Sequence, residues 1–134
     1  MRLVVDTRKL NLSIREVKMW KELILSVVAF MKFQSSSLCV TIFKSNSCKI
    51  GLCVYNTSNI LPDIFVGYTS PPNKKEFCKT IIHEVLHLTK YSSRAGALFK
   101  SVEYDILEET IEAETGHIYK KWQKERGKTC LDKD

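Results

Sequence analysis

Several features that mark other protein classes are scarce or missing in this sequence of 134 residues. It has no apolar run of about eighteen residues, so we expect no membrane-spanning helix. The five cysteines include no C-x-x-C pair, which argues against a disulfide framework and against a cysteine-based structural metal site. Asp6 places a charge early in the chain, so no secretory signal segment is expected. These absences favour a soluble, cytoplasmic protein with reduced thiols.

Size and charge favour one compact domain over residues 1–134. A chain of this length with 44% hydrophobic residues can bury a single core. The net charge is +6, and a basic tail at about 123–134 carries part of it. Such a tail would add a weak, nonspecific attraction to nucleic acid. We favour the plainer interpretation of a solvated, lysine-rich surface, because the sequence contains no helix-turn-helix or RNP-like motif.

Short β-branched and aromatic segments separated by turn-forming residues predict a small, mainly antiparallel sheet. The predicted strands are 2–6, 37–43, 49–55 and 63–68. Ser13 is the predicted N-cap of an N-terminal helix that supplies much of the core. Asn73 follows two prolines and introduces a second helix at about Lys74. With an acidic helix near the C-terminus, the predicted class is α+β.

The segment IIHEVLHL carries His83 and His87 at i and i+4, with Glu84 between them. On a helix, four-residue spacing projects both imidazoles from one face, at a separation that suits a tetrahedral metal ion. A carboxylate one position after the first histidine can reach metal-bound water without binding the metal itself. The flanking residues are apolar, so the helix should be buried, and a metal is the simplest way to satisfy these polar groups there.

The acidic helix predicted over 103–122 is the source of a third ligand. Its apolar stripe leaves Glu108 at the margin, with Glu112 one turn later and Glu109 pointing away. Glu114 falls within the stripe and is a secondary candidate. We favour Glu108 as the third ligand.

These residues carry a family resemblance. HExxH followed about twenty residues later by a helix with E-x-x-x-[D/E/N] is similar to the gluzincin metallopeptidases, which include thermolysin. More closely, TIIHEVLHLTKY followed by LEETIEAETGHIY resembles small phage and mobile-element zincins related to the ImmA/IrrE-type peptidases. The resemblance implies a zincin-like fold in which His83, His87 and Glu108 bind one Zn²⁺. It also implies that Glu84 is the general base and that Glu112 orients a ligating histidine.

The resemblance covers roughly residues 50–122 and gives the strand at 63–68 a functional interpretation. In zincin folds, the strand before the HExxH helix commonly forms the sheet edge over the cleft, where an extended substrate adds as a further strand. An ordinary strand with a bulge at Gly67 is the equally weighted alternative. Three tyrosines are candidates for lying near the metal: Tyr68, Tyr91 and Tyr119.

The sequence therefore predicts a zinc metallopeptidase that acts on a peptide or protein through metal-activated water, with Glu84 as general base. The alternative is a zincin-like binding or regulatory module with little or no turnover. The small size of the chain favours that alternative, whereas Glu84 argues against it, since a purely structural metal site needs no base. Zinc is the default metal, although two histidines and a glutamate also suit other divalent ions.

Overall fold

In the computed structural model, the described residues are 2–8, 10–33, 37–45, 51–54, 63–91 and 102–129. They form strands β1 (Arg2–Asp6), β2 (Ser37–Lys44), β3 (Gly51–Val54) and β4 (Asp63–Tyr68), and helices α1 (Ile14–Phe30), α2 (Lys74–Leu88) and α3 (Val102–Thr129). The predicted α+β class is confirmed. None of the helices in these ranges is long and apolar enough to cross a membrane.

The sheet is mixed, with the strand order β1-β2-β4-β3. Strands β1, β2 and β4 run parallel, and only β3 is antiparallel to its neighbour β4. The predicted mainly antiparallel sheet is therefore wrong. Parallel neighbours need a crossover connection, and the chain supplies one with α1 between β1 and β2 and another with the long segment containing β3 between β2 and β4.

Strand β4 lies inside the sheet. It pairs with β2 from Cys39↔Asp63 to Lys44↔Tyr68, and with β3 from Val54↔Asp63 to Gly51↔Val66. Its backbone is hydrogen-bonded on both sides, so the interpretation of 63–68 as a substrate-pairing edge is wrong. The register with β2 is also regular through Gly67, without the bulge that this glycine suggested.

Helices α1 and α2 pack on the sheet and form the core with it, and α3 packs on α2. Trp20 of α1 is fully buried, and its ring centroid lies 4.6 Å from that of Phe77 at the start of α2. Alternate residues of the two central strands complete this layer: Leu38, Val40, Ile42, Ile64 and Val66. This packing holds α2, which carries both histidines, directly against the sheet.

Local signals determine where the helices begin. Ser13 accepts a hydrogen bond from the Glu16 amide while the Glu16 side chain accepts one from the Ser13 amide, a capping box that confirms the predicted N-cap. Asn73 caps α2 through the Glu76 amide, and the helix begins at Lys74 as predicted. Helix α3 continues to Thr129, so residues 123–129 of the predicted basic tail are helical.

The C-terminal half of α3 is anchored on α1. Trp122 is 2% exposed, and its indole Nε1 donates to Ser26 Oγ at 3.0 Å. The guanidinium of Arg126 stacks over the Trp122 ring, 4.6 Å from its centroid. Thr115 and Ile111, about two and three turns nearer the site, are fully buried. This anchor fixes the acidic half of α3 relative to α2.

If α3 is held by this contact, Trp122→Ala should lower the free energy of unfolding by about 3–5 kcal/mol, because it leaves a large cavity between two helices. Ile106→Ala on the same helix is the control, since Ile106 is 58% exposed. It should change stability by no more than about 0.5 kcal/mol. Urea unfolding in the presence of a chelator measures both variants, and equal small losses would contradict the docking.

Candidate metal centre

Helix α2 presents its two histidines to α3. His83 and His87 lie one turn apart, with ring centroids 5.0 Å from each other. The neighbouring apolar side chains are buried in the core and fix the rotation of the helix: Ile81, Ile82, Val85 and Leu86. The histidine side chains are only 12% and 10% exposed, so both imidazoles face the interface between the two helices.

Glu108 of α3 lies across from both imidazoles. Its Oε2 is 2.8 Å from His83 Nε2, and its Oε1 is 2.9 Å from His87 Nε2. One ligand atom from each of these residues falls within 4.8 Å of the others, which is a group that could hold a metal ion. The structure thus brings together the three residues that the sequence indicated as ligands.

Glu112 contacts the other nitrogen of the first histidine. His83 Nδ1 lies 3.0 Å from Glu112 Oε1, while its Nε2 faces Glu108. Both nitrogens can donate only if the ring is a charged imidazolium. With a metal on Nε2, a neutral ring keeps its Nδ1–H bond to Glu112, the carboxylate–histidine arrangement common in zinc sites.

The distances between the three donor groups are close to those in a tetrahedral site for a divalent ion. Bond lengths of about 2.0–2.1 Å and tetrahedral angles put neighbouring ligand atoms roughly 3.3 Å apart. The two nitrogen–oxygen distances are about 0.5 Å shorter than that. The Glu108 side chain is 29% exposed.

Glu84 lies buried beside the cluster, 6% exposed. Burial raises the pKa of its carboxyl group to about 8, and the nearby carboxylates of Glu108 and Glu112 add to the effect. Burial also lowers the pKa of His87, outweighing the opposing influence of Glu108. The lowered pKa favours the neutral imidazole that a metal requires.

The remaining candidates lie elsewhere. Glu114 accepts hydrogen bonds from Lys90 Nζ at 2.6 Å and from the Tyr91 hydroxyl at 2.8 Å, so it joins the end of α2 to α3 rather than the histidine cluster. Glu109 is exposed. Tyr68 packs on Trp20, with centroids 5.4 Å apart, and Tyr119 packs on Trp122, with centroids 5.8 Å apart.

Tyr104 is the site residue that sequence reasoning missed, because it counts equally well as part of the apolar stripe of α3. Glu108 follows one turn later on the same helix, a spacing that places the two side chains on one face. Burial raises the pKa of Tyr104 to about 12, and the nearby carboxylates of Glu108 and Glu84 raise it further. The spacing of four residues from the candidate ligand was the available signal.

No protein-family model, curated protein or solved structure matches this chain. The class of site therefore rests on its geometry: two histidines from one helix and a glutamate from a second helix, with a buried carboxylate beside them. This arrangement defines a candidate metal centre of the two-histidine, one-glutamate kind.

Substitutions along α3 should separate the acidic candidates. Glu108→Gln should weaken Zn²⁺ binding strongly, because it removes the negative charge of the carboxylate that faces both imidazoles, whereas the exposed Glu109→Gln should change little. Glu112→Gln should have an intermediate effect, about ten- to a hundredfold, typical of a group that orients a ligand. Competition with a chromophoric chelator measures the affinities. If Glu112 or Glu114 proves indispensable and Glu108 dispensable, the third ligand is misassigned.

The buried carboxyl group also predicts a pH dependence in chelator-treated protein. Between about pH 4.5 and 8, folded Glu84 keeps a proton that the unfolded chain has lost, so stability falls as the pH rises across that window. Glu84→Gln lacks this titration. Its stability relative to wild type should therefore increase from pH 5.5 to 8.5 in urea unfolding, and a constant difference would contradict the raised pKa.

Proposed function

We propose that this chain is a zinc-dependent metallopeptidase with a zincin-like fold. The observation that carries the proposal is the convergence of His83 Nε2 and His87 Nε2 on the Glu108 carboxylate, with Glu84 buried next to them. Two histidines and a glutamate leave a fourth position open in a tetrahedral site, as catalytic zinc sites require. The packing of the HExxH helix between the sheet and an acidic helix supports the same assignment.

The metal and its ligands have separate roles in this proposal. A bound Zn²⁺ supplies Lewis acidity toward water and toward the scissile carbonyl group. His83, His87 and Glu108 hold the ion, and Glu112 accepts the Nδ1–H of His83 and fixes the orientation of that ring.

Glu84 is the general base of the proposed reaction. It accepts a proton from the attacking water and donates that proton to the leaving amine, so no covalent intermediate is needed. Without a cation its pKa of about 8 leaves much of it protonated at neutral pH. A neighbouring divalent ion favours the ionised carboxylate and so prepares the base.

The sheet edge beside α2 suggests how an extended substrate is held. Strand β3 pairs with β4 on one side and lies alongside α2, and among the described residues no strand pairs with its other side. We therefore assign backbone pairing with a peptide or protein substrate to β3 rather than β4. Within the same proposal, the reduced thiols of Cys39 and Cys78 suit a cytoplasmic protein.

Glu84→Gln tests whether the site is catalytic. The mutant should fold and bind zinc like wild type but lose cleavage by about two to four orders of magnitude, because the amide cannot accept a proton. Glu109→Gln is the matched control, since it changes an exposed carboxylate near the site. Comparing the peptide fragments that each protein generates in a lysate of its natural host measures activity without a chosen substrate.

The competing function is a binding or regulatory module in which the metal has only a structural role, joining α2 to α3. It keeps the same ligands and the same metal-dependent stability, but it has no use for a proton acceptor at Glu84. If no fragment in the lysate depends on Glu84 while zinc binds tightly, the module is the correct function.

A further inference from the structure

The charges of α3 are divided between its two halves. Positions 102–114 carry six acidic residues and no lysine or arginine, whereas positions 115–129 carry five basic residues and a single glutamate. The helix dipole favours such a division, but its effect is confined to about one turn at each end. The dipole therefore does not account for a division that extends over the whole helix.

One face of α3 is exposed along most of the helix. Helical periodicity aligns five exposed residues along the centre of this outward face: Val102, Ile106, Ala113, Lys120 and Lys124. Val102 and Ile106 are apolar and yet 72% and 58% exposed. Glu108, which faces the histidines, lies about 140° around the helix from that line, so the outward face is separate from the candidate metal centre.

The outward face has an acidic end with apolar side chains and a basic end. Glu103 and Glu109 are exposed beside the two apolar side chains, on opposite sides of the line. Lys120 and Lys124 are exposed at the other end, with the small side chain of Ala113 midway between the ends. An identical helix that runs in the opposite direction therefore meets this face with opposite charges at both ends.

Antiparallel pairing about a two-fold axis at Ala113 brings the two ends into register. Ile106 of one copy then lies opposite Lys120 of the other. Val102 lies opposite Lys124, because each of these pairs is symmetric about position 113. The aliphatic stems of the lysines cover the apolar side chains, and their ammonium groups reach the acidic residues beside them. Parallel pairing places like charges against each other, which is unfavourable.

A second copy of the chain fits this face better than nucleic acid does. Nucleic acid is attracted only to the basic end, is repelled by the acidic end and leaves Val102 and Ile106 exposed. A second copy covers the apolar side chains with lysine stems and compensates the charges of both ends.

We propose that two copies of this chain associate through the outward faces of α3, antiparallel and centred on Ala113. One helix pair about 34 Å long gives a small interface, so the association is weak, with a dissociation constant on the order of 10–100 µM. Since charge pairs supply much of the attraction, salt weakens it. The candidate metal centre lies outside the contact, so this inference does not rest on the proposed function.

Sedimentation equilibrium tests the association directly. Wild type should show a monomer–dimer equilibrium in about 50 mM salt, and its dissociation constant should rise at least about tenfold in about 500 mM salt. Chelator should leave both values unchanged. A chain that stays monomeric in low salt at about 500 µM, well above the expected dissociation constant, overturns the proposal.

Charge reversal tests whether the outward face is the contact. Glu103→Lys with Glu109→Lys should abolish self-association, because both ends of the face are then basic. Lys120→Glu with Lys124→Glu should abolish it as well, because both ends are then acidic. An equimolar mixture of these two double variants should form a heterodimer, and a chain that carries all four changes should again form a homodimer.

Lys18→Glu with Lys21→Glu is the matched control. Both lysines are exposed on α1, and their reversal changes the net charge by as much as reversal of the two α3 lysines. This variant should self-associate like wild type. Far-UV circular dichroism and the urea midpoint verify that each variant is folded.

The reversal experiments distinguish contact through α3 from other modes of association. A dimer that survives either double reversal on α3, or a mixture of the two double variants that stays monomeric, overturns the proposal. Equal losses in the α1 control also overturn it, because they assign the effect to net charge. A salt-sensitive dimer that behaves as expected supports the proposal even in a chain that binds no metal, so its success and the success of the metallopeptidase proposal are separate.

Discussion

Charge compensation between α2 and α3 is the constraint on which the rest of this structure depends. Three carboxylates, from Glu84, Glu108 and Glu112, lie around two imidazoles that are about one-tenth exposed. The pKa of Glu84 rises to about 8 because burial and its acidic neighbours both oppose its charge. A divalent cation is the partner that such a cluster is suited to bind, since it relieves the repulsion and satisfies the imidazole nitrogens together.

The fold keeps that cluster together by fixing both helices from outside it. Helix α2 contacts the sheet, α1 and α3, and its two histidines face α3. Helix α3 is anchored near its far end by Trp122 on Ser26 and beside the cluster by Glu114, which accepts from Lys90 and Tyr91. Rigid helices on both sides hold like-charged groups close together at a cost that the hydrophobic core offsets.

The same arrangement separates the structural role of the site from its chemical role. His83, His87 and Glu108 form a group that could hold an ion between two helices. Glu84 lowers the stability of the fold, because a buried carboxylate without a paired cation is unfavourable. Its presence is the physical reason for favouring an enzyme over a scaffold that the metal only holds together.

Much of the site could be predicted from the sequence because its signals are local. Helix starts at Ser13 and Asn73 depend on side chains within three residues of the cap, and the common face of His83 and His87 follows from helical periodicity. The choice of Glu108 also came from periodicity, and the structure places that residue opposite both histidines.

Contacts between distant residues could not be predicted in this way. Turn-forming residues between the strands suggested hairpins between consecutive strands. The sheet instead places β4 directly beside β2, although β3 comes between them in the chain, and β4 therefore lies in the interior. Glu114 pairs with Lys90 and Tyr91 rather than with the histidines, because the packing of α3 on α2 decides what each residue meets. The sequence by itself determined the helices and the face that each presents, since these depend on neighbours within one turn. Only the tertiary structure decided strand order and the partners of each polar side chain, because those depend on packing between residues far apart in the chain.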